Sequence, residues 1–240
     1  MTRRDRTVLR TSIRRSQAAK LAVVVLGGCV ALAACGPVQL GAAAIVGGQR
    51  ITTSTLTTEV SNLNQAYLSS KPKVTLGFSS SKMPQEVLSW LIIFRVGDRL
   101  ASREHITVTA TQVQGAINSL SAELKSSGGG TLRTAAISHG IPPNLISTDF
   151  ATYEATQNAL IVQLSHGQTS QTAQQAVETE FNHEECVAAK SLKIKISPQF
   201  GRLDYSQFSV VPVANTLSAP EPSPSPSASA TSKPEYNPPC

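Results

Sequence analysis

Residues 84–104, PQEVLSWLIIFRVGDRLASRE, constrain the fold more than any other stretch of the chain. Pro84 suits the start of a helix, where its missing N–H would have no partner anyway. Val87, Leu88, Trp90, Leu91, Ile92, Ile93, Phe94, Val96 and Leu100 then wrap most of the circumference. A helix that is apolar nearly all round is buried by neighbours on several sides. Its length would also suit a membrane span. Arg95, Asp98 and Arg99 argue against that, because a charge at mid-bilayer costs roughly 2.5–3.5 kcal/mol. The segment therefore reads as the central helix of a mainly α, multi-helix domain.

The flanking pattern supplies the helices to surround it. Residues 44–51, AIVGGQRI, form a short strand or hairpin arm broken by two glycines. Thr53 or Ser54 caps a helix with Leu56, Val60, Leu63 and Tyr67 at helical spacing. Thr109 with Gln112 makes a capping box. Its helix carries Val113, Ile117, Leu120 and Leu124 and stops at Gly128-Gly129-Gly130. A short helix follows from Thr131. After Pro142-Pro143 comes another, with Phe150, Tyr153, Leu160, Ile161 and Leu164 in a stripe. Residues 168–190 form a more polar helix with Val177, Phe181 and Val187 on a sparse apolar face. Leu192, Ile194 and Ile196 alternate with Lys193, Lys195 and Ser197, which predicts a half-buried strand. A two-stranded β element, 44–51 with 192–197, would tie the ends of the domain.

The two termini are of a different kind. The net charge of +6 suggests a nucleic-acid or membrane partner. Its distribution removes the nucleic-acid option. Residues 1–34 hold seven of the 21 basic residues and one of the 15 acidic ones, so the remainder carries 14 of each sign. The basic segment leads into LAVVVLGGCVALAA at 21–34, too short for a span of roughly 20 residues. It ends in Leu32-Ala33-Ala34-Cys35, which matches the bacterial lipobox. The match implies diacylglyceryl transfer to the Cys35 thiol and cleavage between Ala34 and Cys35. Cys35 is thus the lipidation site, residues 1–34 a signal peptide and residues 35–43 a tether. The expected location is the extracytoplasmic face of the cell membrane. An ordinary signal with a chance cysteine is the alternative. At the other end, residues 214–240 read as a solvated tail. Seven of the 14 prolines lie in Ser218–Cys240. Cys186 and Cys240 remain after processing. An oxidising compartment permits a bridge between them, but no spacing demands it, and a flexible tail favours a free or intermolecular thiol.

Three short motifs within residues 44–213 resemble a known family. IVGGQRITTSTL (45–56) is similar to the start of the N-terminal chaperone domain of SurA-like and PrsA-like foldases. ITVTATQVQGAINSL (106–120) resembles the turn that leads into a later helix of that domain. ISPQFGRLD (196–204) resembles the segment that closes it in actinobacterial lipoproteins. The resemblance covers roughly residues 44–206 and implies a lobe that holds unfolded polypeptides. Some family members insert a parvulin isomerase domain of about 90–100 residues. Here residues 107–190 are spent on helices, so the resemblance implies a holdase-type chaperone without isomerase activity.

The remaining motifs weigh against an enzyme. Ser79-Ser80-Ser81-Lys82 fits S-x-x-K, but it lies in a serine-rich loop and no K-T-G follows. His183 and Cys186 could share a metal, yet no second pair of ligands accompanies them. Glu178, Glu180, Glu184 and Glu185 read as solvated charge. Gly128-Gly129-Gly130 lacks the G-K-[ST] of a phosphate loop. No cofactor, metal or small-molecule substrate is indicated. The expected partners are unfolded or secreted client proteins and, through the lipid, the membrane. Trp90 and Phe94, one turn apart, are candidates to line a client groove, although core packing accounts for them as well. An envelope scaffold with one dedicated protein partner is the second reading. A broad apolar groove would favour the chaperone, and a compact patch with a polar rim the scaffold.

Overall fold

The computed structural model describes residues 40–70 and 74–213, all within the unit Val38–Cys240. The domain opens with a hairpin of β1 (Ala42–Val46) and β2 (Gln49–Thr52). Gly47 and Gly48 turn it, with φ of +59° and +81°. Two positive φ values match the right-handed twist of the flanking strands, and glycine takes them without a Cβ clash. A Cβ on Gly47 would also lie 2.5 Å from the Leu192 side chain, so the turn is where the end of the domain crosses its start. The other edge of β1 pairs antiparallel with β3 (Lys195–Ile196), with Ala44 opposite Ile196. The tie between the two ends is therefore β1–β3. The hairpin makes the sheet three-stranded, in the order β2-β1-β3, rather than two-stranded.

Six helices follow. α1 (Thr53–Ser70) is capped by the Thr52 hydroxyl, which accepts from the Thr55 N–H at 2.9 Å. α2 (Met83–Arg103) carries Pro84 in its first turn. α3 (Ala110–Ser126) begins with the Thr109–Gln112 capping box. It ends where the Gly129 N–H donates to the Leu124 carbonyl at 2.8 Å. α4 (Leu132–Ser138) has its own capping box, Thr131 with Thr134. A 3-10 turn (Pro143–Leu145) and a single π-helical turn (Ile146–Phe150) run into α5 (Ala151–Ser165). α6 (Gln171–Ser191) is capped by Ser170. A second hairpin closes the described chain, β4 (Arg202–Asp204) with β5 (Ser209–Val211). From the sequence alone, Phe208 to Val213 reads only as a final apolar stretch.

α2 is the axle of this arrangement, packed by α1, α5, α6 and β5. Val87, Leu88, Ile92, Val96 and Leu100 are fully enclosed among Leu56, Leu63, Ile137 and Leu160. Among its charged residues, Arg95 and Asp98 lie 3.7 Å apart. A polar group inside the apolar face locks the second hairpin in place. The Ser89 hydroxyl donates to the Gln85 carbonyl and accepts from the Val210 N–H, both at 2.8 Å. Both partners are met inside the core, so the hydroxyl carries no desolvation penalty. Among the described residues no helix is long and apolar enough to cross a membrane.

Candidate functional site

Trp90 and Phe94 belong to a second apolar cluster, between α2, α4 and the entry to α5. Their ring centroids are 5.9 Å apart, and Phe150 meets Trp90 edge-on at the same distance. The Trp90 indole N–H donates to the His139 carbonyl at 2.7 Å. Trp90 is half-buried and Phe94 buried, so their faces are spent on one another and on Phe150 rather than offered to a groove. Phe94 also lines a neighbouring cavity of about 390 Å³, together with Gly97, Asp98, Asp149 and Tyr153.

Tyr153 forms the inner wall of that cavity. Gly97 is what allows it to lie there, because a Cβ at position 97 would stand 2.6 Å from the ring. The Tyr153 hydroxyl donates to Glu185 Oε1 at 2.7 Å. Burial, followed by the Glu185 charge and hydrogen bond, pushes the Tyr153 pKa up, so the phenol stays protonated and aimed inward. Burial also raises the Glu185 carboxyl, although the Tyr153 hydrogen bond works against it. Burial raises Asp98 too, with Arg95 opposing and Asp149 adding to the shift. The cavity thus presents two carboxylates and aromatic walls. At its edge the Thr148 hydroxyl donates to Asp149 Oδ2 at 2.7 Å.

A different surface has the character a peptide-binding site needs. Between α5 and α6 lies a groove of about 310 Å³. Ile161, Val177 and Phe181 form its floor, and Gln168, Gln174 and Glu178 stand at its edge. Ile161 and its neighbour Val162 are among the few large apolar side chains left exposed. The groove is compact and polar-rimmed rather than broad. Sequence reasoning names Ile161, Val177 and Phe181 only as stripe residues, since nothing local shows that the stripes of two successive helices meet incompletely.

The other sequence candidates fall as follows. Ala34 and Cys35 lie outside the described residues. The Ser79 carbonyl accepts from the Lys82 N–H at 2.8 Å, closing a 3-10 turn (Ser80–Lys82) that leads into α2. Gly128-Gly129-Gly130 is a helix stop, with Gly128 and Gly130 left-handed. The acidic run is not all solvated charge. Glu184 pairs with Arg103 at 3.1 Å, and Glu185 is buried against Tyr153. Cys186 is disulfide-bonded, which corrects the expectation of a free thiol. It sits in the core with 1% exposure. The bond leaves it no thiolate for a metal beside His183. Among the described residues no group of three or more His, Cys, Asp or Glu could hold a metal ion.

The family model described as the SurA-like N-terminal domain matches residues 10–129. The chain belongs to this family. The match ends in the glycine turn after α3, so it spans the first hairpin, α1, α2 and α3. Beyond the matched residues, α5, α6 and β5 pack on α2. No curated protein and no solved structure matches the chain significantly. The family is of chaperone type, and its domains bind client polypeptides.

Proposed function

We propose that this protein is a lipid-anchored chaperone on the extracytoplasmic face of the membrane. It binds short apolar segments of unfolded or secreted polypeptides and has no isomerase activity. Membership of the SurA-like family carries the proposal. The order of basic segment, apolar stretch and Leu32-Ala33-Ala34-Cys35 supports the anchor. The α5–α6 groove supports the binding mode. Its apolar floor takes one or two side chains by burial at roughly 25 cal/mol per Å², with little demand on their identity.

The small size and polar rim of the groove favour a second reading, an envelope scaffold with one dedicated partner. Light scattering separates the two. The mature protein at stoichiometric amounts should suppress aggregation of a reduced or denatured client, and Ile161→Asp should weaken this. No effect on any generic client would remove the chaperone and leave the scaffold.

A further inference from the structure

The cavity of about 390 Å³ beside Phe94 is lined by groups that core packing does not require. Two carboxylates, Asp98 and Asp149, share it with the rings of Phe94 and Tyr153. Arg95 lies 3.7 Å from Asp98, but the two side chains are 49% and 65% exposed, and an exposed ion pair holds its members weakly. Asp149 has no ion-pair partner among the described residues; its carboxylate accepts from the Thr148 hydroxyl. The lining also includes Thr156, which is only 3% exposed. Its hydroxyl has no hydrogen-bond partner among the described residues. Nor is the oxygen sealed, so the little surface it keeps belongs to the cavity it lines. A buried hydroxyl left unpaired is costly and uncommon in a folded chain. We propose that this cavity is a binding pocket for a basic side chain, lysine or arginine, of a bound polypeptide. The polypeptide as the source of that side chain rests on the chaperone reading; the preference of the cavity for an organic cation does not.

Other ligand classes fit the lining poorly. Two carboxylates repel an anion. An apolar side chain would bury them, and the Thr156 hydroxyl, without partners. A hard divalent ion takes about six or more oxygen ligands, and among the described residues no group of three or more His, Cys, Asp or Glu could hold one. A basic side chain answers each feature in turn. Its aliphatic stem lies along the Phe94 and Tyr153 rings while the charged head stays at the polar end, and the rings themselves attract a cation. The head donates to the carboxylates of Asp98 and Asp149, and the Thr156 hydroxyl accepts a further N–H. Burial raises the Asp98 carboxyl, with Arg95 opposing and Asp149 adding to the shift, so the two carboxylates are close enough to repel one another. A cation held between them removes that repulsion. The size of the cavity suits one side chain and its approach rather than a longer stretch of polypeptide.

Trp90, the single tryptophan of the chain, has its ring centroid 5.9 Å from that of Phe94, so its emission reports on the cavity wall. The mature protein is titrated with the peptide acetyl-Gly-Lys-Gly-amide, with the same peptide acetylated at the lysine Nε, and with spermidine. The lysine peptide should shift the Trp90 emission in a saturable way, and its acetylated form should bind about tenfold more weakly, the scale of a lost hydrogen bond to a charged group. Asp149→Asn keeps an oxygen for Thr148 and should weaken the lysine peptide by a similar factor. Thr156→Val should also weaken it without lowering Tm, because the hydroxyl it removes has no partner in the fold. Equal binding of the two peptides, an unaltered titration in Asp149→Asn, or a Thr156→Val variant with lower Tm and unchanged binding would overturn the pocket. A tighter response to spermidine than to the lysine peptide would overturn the polypeptide as its source. A protein that suppresses client aggregation but ignores the lysine peptide loses this pocket alone; one that binds the peptide yet protects no client loses only the chaperone reading.

Discussion

Tyr153 reaches from α5 to donate a 2.7 Å hydrogen bond to Glu185, a carboxyl buried on α6. The bond joins two of the helices that pack on α2, and it has a direction in pH. Burial holds the folded Glu185 pKa above its ordinary value of 4.5. Between the two values the folded chain keeps a proton that the unfolded chain has lost. The contribution to stability is then fully present below about pH 4.5 and declines as pH rises through the folded value. Glu185→Gln keeps an oxygen for Tyr153 and cannot ionise. Thermal unfolding against pH should show wild type losing ground to this variant as pH rises from 4 to 8. Parallel curves would mean that Glu185 does not titrate as a buried acid.

Gly97 should prove as important to this pair as either member. A Cβ there would lie 2.6 Å from the Tyr153 ring, which is held by Glu185 at its tip and by Phe94 edge-on at 6.3 Å. Gly97→Ala gains about 1 kcal/mol of helix propensity and meets an overpacking cost of roughly 1–3 kcal/mol. The expected net effect is a lower Tm, with a double-mutant cycle to Glu185→Gln showing coupling. A Tm equal to or above wild type would show that the ring moves freely.

How much of this was legible beforehand depends on how local each signal is. The Thr109–Gln112 box and the glycine stops are set by neighbours within a few residues, and the structure has both; the strand expected over 192–197 shortens to Lys195–Ile196, because Leu192 caps the end of α6 and Lys193 turns at a positive φ of 47°. Glu184 and Glu185 are adjacent and alike in sequence. They point about 100° apart on α6, one to Arg103 and one to Tyr153. Only the position of α5 decides which is buried. The β4–β5 hairpin was hidden for a similar reason. Its turn has no glycine: Asp204 accepts from the Ser206 N–H, and Phe208 takes a positive φ of 47°. Its docking partner Ser89 lies 121 residues away. The Cys186 disulfide was equally out of reach, because cysteine spacing alone does not decide whether a thiol is paired.

Ser89 provides a direct measure of that docking. Its hydroxyl is the acceptor for the buried Val210 N–H. Ser89→Ala leaves this donor without a partner, at a cost of about 1–3 kcal/mol. Hydrogen exchange at the Val210 amide should accelerate by at least tenfold, whereas amides in the middle of α2 should change only as much as global stability does. Ser89→Thr retains the hydroxyl and should restore most of the protection. Unchanged exchange at Val210 in the alanine variant would mean that the hairpin is held by Val210 burial alone.

The anchor can be tested apart from everything the folded domain does. Cys35 is the only thiol at the end of the apolar stretch, in Leu32-Ala33-Ala34-Cys35. Conversion to serine removes the sulfur to which diacylglycerol is transferred. Lipid modification must precede cleavage in the lipobox scheme, so Cys35→Ser should retain residues 1–34 and gain mass at the protein level while losing the two acyl chains. Two chains suffice for stable membrane attachment, where one gives only marginal binding. Detergent partitioning should therefore place the mature wild type in the detergent phase. A Cys35→Ala change combined with deletion of residues 1–34 should yield a water-phase domain with the same thermal unfolding as wild type. Wild-type protein that partitions into water, or a Cys35→Ser variant with the mature mass, would refute lipid attachment at Cys35.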